Sequence, residues 1–381
     1  MEKLFTEIDR LEKEFIKIWV DIANIESPTE YKKGVDTVGE YFINFARKNG
    51  WQTEIFEQSK AGNIVTITMN AESCEAPITL SGHIDTVHPL GSFGTPAVRV
   101  EKDIIYGPGV TDCKGGTVAA LFAMTALKNI GFNKRPLRLL LQTDEESQSQ
   151  LSGKSTINYM CEKAADSIAF LNCESTRGNT AVLWRKGIAC YRLDIKGQSV
   201  HASRCAEGGA NAITEAAHKI LELEKMKDVN GLTCNCGVIN GGTASNSVPD
   251  NCSILAEIRF NTQKEKEEGE AKITAVAKKS YIEGTNCEIT QVTSRPAMEK
   301  AERNFALLDR LNEIYNACGL PILTARQSLG GSDTAEITVA GIPCIDSIGV
   351  EGDKIHSPNE YGIISSLAKA AKRIATACYY L

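Results

Sequence analysis

The sequence predicts an α/β protein with a largely parallel sheet carrying helices on both faces, interrupted by a smaller inserted unit. Three observations predict this. Up to Trp184, strand-like apolar runs alternate with helical ones. Those strand runs are apolar almost throughout rather than alternating, as strands buried on both faces are. Near Arg185 the texture changes, and it returns only after Ser294.

Taken in order, the opening MEKLFTEIDRLEKEFIKIWVDIANI reads as an acidic amphipathic helix and not as a secretion signal. NIVTITM and APITLSGHI are strands, GGTVAALFAMTALKNIG a helix, and RPLRLLLQT a strand. TINYMCEKA is a helix and SIAFLNCE another strand. The inserted stretch runs as strand IACYRLDIKG, helix NAITEAAHKILELEKM, and strands CNCGVINGG and SILAEIRF. A polar helix, EKEEGEAKITAVAKKSYI, and a strand, CEITQVTS, complete it. This β-α-β-β-α-β order is the ferredoxin-like split βαβ arrangement. NFALLDRLNEIYNAC, AGIPCIDSIGV and the closing helix SLAKAAKRIATACYY restore the first texture. The expected division is 1–184 with 295–381 for one domain and 185–294 for the other.

A length of 381 residues suits two domains better than one. Hydrophobic content of 42% and charged content of 24% are those of a soluble globular protein. A net charge of −6 argues against a nucleic-acid binder, which needs a basic field. No apolar run is long enough to cross a bilayer, so no membrane partner is expected. The 13 cysteines are scattered without a CxxC pair; Cys234 and Cys236 form a CxC on a strand. A reduced, cytoplasmic protein is the expectation.

Five stretches place titratable residues where apolar runs end. SGHIDTV carries His83 and Asp85, which share one side of an extended chain. YGPGVTDCKGG puts Asp112 in a glycine-rich turn before a helix, where it could also serve as a cap. LLLQTDEES ends on Glu145 and Glu146, AFLNCES on Glu174, and GVEGDKIHSPNE holds His356. Open α/β sheets bind ligands beyond the carboxyl ends of their strands, so these residues can converge on one crevice. Several carboxylates and two histidines buried together repel unless cations neutralise them. Imidazole and carboxylate without thiolate suit zinc, cobalt or manganese. The count suits two ions sharing one carboxylate, holding a bridging hydroxide and polarising a carbonyl, with one glutamate of the doublet left as proton shuttle.

At this point the motifs resemble a known family. GHIDTV, YGPGVTDCKGG, TDEE, HAS…EGGANAI, GGTASNSVPD and GGSDT stand in the order of the di-zinc exopeptidases and aminoacylases. That group includes glutamate carboxypeptidase (carboxypeptidase G), acetylornithine deacetylase and succinyl-diaminopimelate desuccinylase, and the chain sits nearest the first. The resemblance covers essentially the whole chain and implies a zinc exopeptidase-like fold whose inserted domain is a lid and dimerisation module. It implies two zinc ions per subunit: one on His83 and Glu174, the other on Glu146 and His356, with Asp112 bridging. Glu145 is implied as general base and acid, and Asp85 as the group that aims His83. His201 matches a lid histidine that polarises the scissile carbonyl in the partner subunit of a homodimer. Asn246, Arg259, Gly330 and Gly331 match substrate contacts, Arg259 toward a free carboxylate; Arg326 is a weaker candidate. Two positions depart from the pattern: Cys205 replaces a proline of the lid turn, and NCEST stands where Glu-Pro-Thr is commoner, keeping Glu174 as its glutamate. The expected function is a cytoplasmic metallopeptidase cleaving an amide beside a C-terminal carboxylate. An N-acyl-amino-acid deacylase, a di- or tripeptidase, and a non-catalytic binding relative are the alternatives.

Overall fold

The computed structural model describes residues 1–381, which divide into two compact units. One comprises 1–183, 300–327 and 332–381; the other comprises 184–299 and 328–331.

The first unit is built on a six-stranded sheet. Its spatial order is Gln52–Phe56, Ile64–Met69, Leu137–Gln142, Ile78–His83, Ala169–Asn172 and Cys344–Ile345. The three joins around Ile78–His83 and Ala169–Asn172 are parallel, and the two at the Gln52–Phe56 edge antiparallel. The largely parallel sheet is therefore present, with an antiparallel margin. Ile78–His83 is buried at every position, which is why ITLSGH reads as continuous rather than alternating. The helix Lys114–Asn129 is buried all round as far as Leu127 because it lies between the sheet and the helices Glu2–Ala23 and Ser366–Tyr380. Phe15 of the first of these stacks on Phe122 at 4.3 Å between ring centroids.

Several features of this unit were not anticipated, among them a helix and a small sheet. The helix Lys32–Lys48 starts on two lysines without a side-chain cap, so it lacks the usual start signals. Its buried stripe of Val35, Val38, Phe42, Ile43 and Ala46 is what holds it in place. A second, four-stranded sheet joins Arg99–Glu101, Ile104–Tyr106, Tyr361–Ile363 and Gly352–Asp353 in that order. Strands of two or three residues are too short to show a period in sequence.

The second unit carries an antiparallel sheet in the order Thr233–Gly241, Asn251–Phe260, Gly187–Lys196, Asn286–Arg295. The helices Ala212–Leu223 and Gln263–Lys278 pack on it and complete the β-α-β-β-α-β order. Along Asn251–Phe260, Cys252, Ile254, Ala256, Ile258 and Phe260 are buried while their neighbours are more accessible, the period of a sheet with one covered face. Residues 184, 295–299 and 328–331, expected with the first domain, group with this unit. All 13 cysteines are free, and no helix is long and apolar enough to cross a membrane.

Candidate active site

In the first unit the strand ends deliver their titratable residues to one place. His83 closes the strand Ile78–His83, Glu145 and Glu146 follow Leu137–Gln142, and Glu174 follows Ala169–Asn172. Asp112 lies just before the helix Lys114–Asn129, and His356 just before the strand Tyr361–Ile363. His83 Nε2 is 3.1 Å from Asp112 Oδ1 and 3.5 Å from Glu174 Oε1. His356 Nε2 is 3.1 Å from Asp112 Oδ2 and 3.2 Å from Glu146 Oε2. Each oxygen of Asp112 thus faces a different imidazole, and each imidazole has its own glutamate. Asp112 does not cap the helix: Cys113 occupies that position without a side-chain bond. His356 holds a left-handed backbone, φ 60°, a conformation that costs a residue with a Cβ about 1–2 kcal/mol.

Hydrogen bonds behind the cluster fix its orientation. His83 Nδ1 lies 3.0 Å from the Asp85 backbone carbonyl, which only accepts, so Nδ1 carries a hydrogen and Nε2 is the nitrogen facing the carboxylates. The Asp85 carboxylate, fully buried, is 3.4 Å from the same nitrogen. Its oxygens also accept from the backbone N–H groups of Glu145, at 3.3 Å, and Glu146, at 3.2 Å. The Thr29 hydroxyl donates to it at 2.8 Å. Asp85 therefore ties the glutamate turn to the histidine strand, a wider part than aiming His83. Thr29 gave no sequence signal, and neither did Lys114, whose buried ammonium donates to the Ile25 carbonyl and is pulled down to about 7 by burial.

The electrostatics of the cluster call for a cation. Burial pushes Glu174 well above the carboxylate range, reinforced by the charge of Asp112. Burial likewise pushes Glu146 up to about 8, opposed by its hydrogen bond from His356 and helped by Asp112. Burial works the same way on Asp112, but hydrogen bonds from His356 and His83 win and hold it far below the usual range. His356 is raised to about 10 by its bonds to Asp112 and Glu146. Two imidazoles and three carboxyls pointing inward are a donor set for divalent zinc-like metals, which would replace the protons now shared among them. The Cys113 sulfur also comes near His83 and Glu174. Burial raises that thiol well above its ordinary value, and its S–H points at the Cys173 carbonyl at 3.7 Å, so it is a poor ligand beside the carboxylates.

The remaining sequence-predicted residues, Arg326 apart, belong to the second unit. His201 is exposed, with Nδ1 2.8 Å from the Ser203 hydroxyl, and Ala202 N–H donates to the Asn246 carbonyl at 2.9 Å. His201 and Asn246 are therefore neighbours. Arg259 bonds Glu257 at 2.7 Å and the Leu329 carbonyl at 3.3 Å, beside Gly330 and Gly331. The carbonyls of those glycines accept from Arg185. Arg326, in the first unit, donates to the Thr180 hydroxyl at 3.0 Å.

The sequence profile of peptidase family M20/M25/M40 matches residues 79–379. The chain belongs to this family. It is accordingly a hydrolase of a metallopeptidase family. Among relatives, carboxypeptidase G2 of Pseudomonas sp. (strain RS-16) is 26% identical over 93% of this chain and 86% of its own. Succinyl-diaminopimelate desuccinylase of Rickettsia felis is 25% identical over 93% of this chain and 96% of its own. A crystallised tripeptidase of Staphylococcus aureus shares the fold with a TM-score of 0.82, at 25% identity, over 97% of this chain and 98% of its own. Family membership thus spans more than one kind of amide substrate.

Proposed function

We propose that this chain is a zinc-dependent exopeptidase that hydrolyses an amide next to a free C-terminal carboxylate, as a cytoplasmic homodimer of the glutamate carboxypeptidase type. The observation that supports it most is the pairing around Asp112, with His83 and Glu174 on one side and His356 and Glu146 on the other. The choice of branch is supported by the likeness to carboxypeptidase G2 along most of both chains. On this reading those five residues hold two zinc ions, for which cobalt or manganese can substitute. Such ions, when bound, polarise an amide carbonyl and make a water acidic near neutral pH.

The rest of the chemistry falls to the protein's own groups. Glu145 accepts a proton from the attacking water and hands it to the leaving nitrogen, so the amide C–N bond breaks with a neutral amine departing. Asp85 keeps the Glu145 backbone and the His83 ring in register through the bonds described above. His201, from the partner chain, donates to the carbonyl oxygen as negative charge develops there. Asn246, Gly330 and Gly331 contact the substrate, and Arg259 exchanges its Glu257 contact for the substrate's α-carboxylate.

The test is amino-acid release by zinc- or cobalt-loaded protein from C-terminal-glutamate amides, N-acetyl and N-succinyl amino acids, and di- and tripeptides. The glutamate amides are expected to turn over fastest. Glu145→Gln should lose about 10²- to 10⁴-fold in kcat with its metal retained. Fastest turnover of an N-acyl amino acid or a tripeptide moves the chain to the deacylase or tripeptidase branch. A metal-loaded protein inert to the whole panel refutes the exopeptidase specificity proposed here and favours the non-catalytic alternative.

A further inference from the structure

Glu360, at the end of the stretch that carries His356, is a fully buried carboxylate to which no role has been given above. A buried carboxylate is costly unless donors surround it, and here there are four. Oε1 accepts from the backbone N–H groups of Thr111, at 2.9 Å, and Asp112, at 3.1 Å. Oε2 accepts from Gly109 N–H at 3.1 Å and from His88 Nε2 at 2.6 Å. Since a carboxylate only accepts, the hydrogen of His88 sits on Nε2. The ring is itself buried, with Phe93 edge-on at 4.9 Å between centroids.

The connectivity of these bonds matters more than their number. Glu360 lies four residues after His356, and His88 five residues after His83. The three N–H groups belong to the turn that presents Asp112. One carboxylate therefore joins the three segments that carry His83, Asp112 and His356. The adjoining sheet repeats the link: Tyr361 pairs with Tyr106, and the Thr111 hydroxyl donates to the Tyr361 carbonyl at 2.6 Å. Asp112 faces both imidazoles at 3.1 Å, so a displacement of its backbone loosens both half-sites together.

We infer that Glu360, clamped by His88, is a positioning residue that sets the place of Asp112 between His83 and His356, and with it the affinity of the paired metal site. This rests on the two-metal reading proposed above. Glu360→Gln keeps the shape but turns an NH₂ group against one pair of N–H donors. His88→Ala removes one donor, and His88→Gln returns an N–H to nearly the same place.

The experiment measures zinc affinity by competition with a chromophoric chelator, alongside kcat, KM and the Tm of the metal-free proteins. Glu360→Gln is expected to lose about 10- to 100-fold in zinc affinity and in kcat, with KM unchanged. His88→Ala should lose less, and His88→Gln should recover most of that loss. Wild-type affinity and kcat in a folded Glu360→Gln protein, or a lowered Tm as the sole change, would overturn the inference. If Glu360→Gln does not fold, the histidine pair decides: equal zinc affinity in wild type, His88→Ala and His88→Gln overturns it. A wild-type chain that binds no zinc removes the two-metal reading and this inference with it.

Discussion

Replacing Asp85 by asparagine tests how much of the site depends on one buried carboxylate. Its two oxygens serve the Thr29 hydroxyl and the N–H groups of Glu145 and Glu146, with His83 Nδ1 close by. An amide has a single acceptor oxygen. The better of its two orientations leaves that oxygen on Thr29 and Glu146, the contacts of Oδ2. The NH₂ group then confronts the Glu145 N–H. His83 Nδ1 still has the Asp85 backbone carbonyl at 3.0 Å, so of the existing donors only the Glu145 N–H is orphaned, against an NH₂ that is itself an unmatched donor. An orphaned buried donor costs about 1–3 kcal/mol. The cost appears as lost stability if the turn stays put. If Glu145 moves to escape it, the same energy becomes roughly a 5- to 150-fold drop in kcat. Denaturation midpoints together with kcat, KM and metal content separate the two outcomes. An Asp85→Asn protein with wild-type stability and wild-type kcat refutes the reasoning.

Four further expectations concern the metal, the metal-free fold, the packing and the partner chain. In the metal-free protein Glu146 is raised to about 8 and His356 to about 10, so both hold protons at neutral pH. Zinc loading at pH 7 should release protons and tighten as pH rises, read by calorimetry in buffers of different ionisation enthalpy; pH-independent affinity would contradict it. The raised Glu146 also stabilises the metal-free fold in acid, below its ordinary 4.5, and that contribution should fade as pH rises through about 8. A Cβ added at Gly116 would overlap the Cys173 carbonyl oxygen, so Gly116→Ala should cost about 1–3 kcal/mol and disturb the neighbouring Glu174, measured by denaturation and zinc content. His201→Ala should lower kcat about 10²- to 10³-fold. Mixing it with Glu145→Gln regains activity if the histidine serves the neighbouring chain, and mixed dimers that stay inactive exclude that.

The residues at strand ends were legible because two signals coincide there. An apolar run fixes where a strand stops; one charged residue there reads as solvated surface, but several such ends carrying a histidine and carboxylates together point to one crevice. His83, Glu145, Glu146 and Glu174 were found this way. Asp112 and His356 sit in loops, and their place in the cluster came from the shared logic of charge rather than from any period. The supporting groups were silent for a physical reason. Thr29, His88 and Glu360 lie in irregular segments, where a polar residue looks like solvated surface until the fold buries it. Lys114 reads as a helix-start lysine, yet it is buried and spends its charge on a backbone carbonyl. The half-exposed strand Gln52–Phe56 escaped altogether, and so did the direction of Ile64–Met69, because antiparallel and parallel pairing ask for the same apolar faces when both are covered.

The division of the first unit into separated stretches of chain has a consequence for the cell that makes it. A growing chain that has reached residue 299 already carries His83, Asp112, Glu146 and Glu174, and has passed all of the second unit except residues 328–331. It lacks His356, the strand Cys344–Ile345 and the clamp at Glu360. Domains fold as they emerge, so the inserted unit can form while the site it interrupts is still open on one side. On the reading proposed above, the hydrolytic centre can come into being only once residues 344–360 have been made. A ribosome that stalls before then leaves a fragment unable to cut its neighbours.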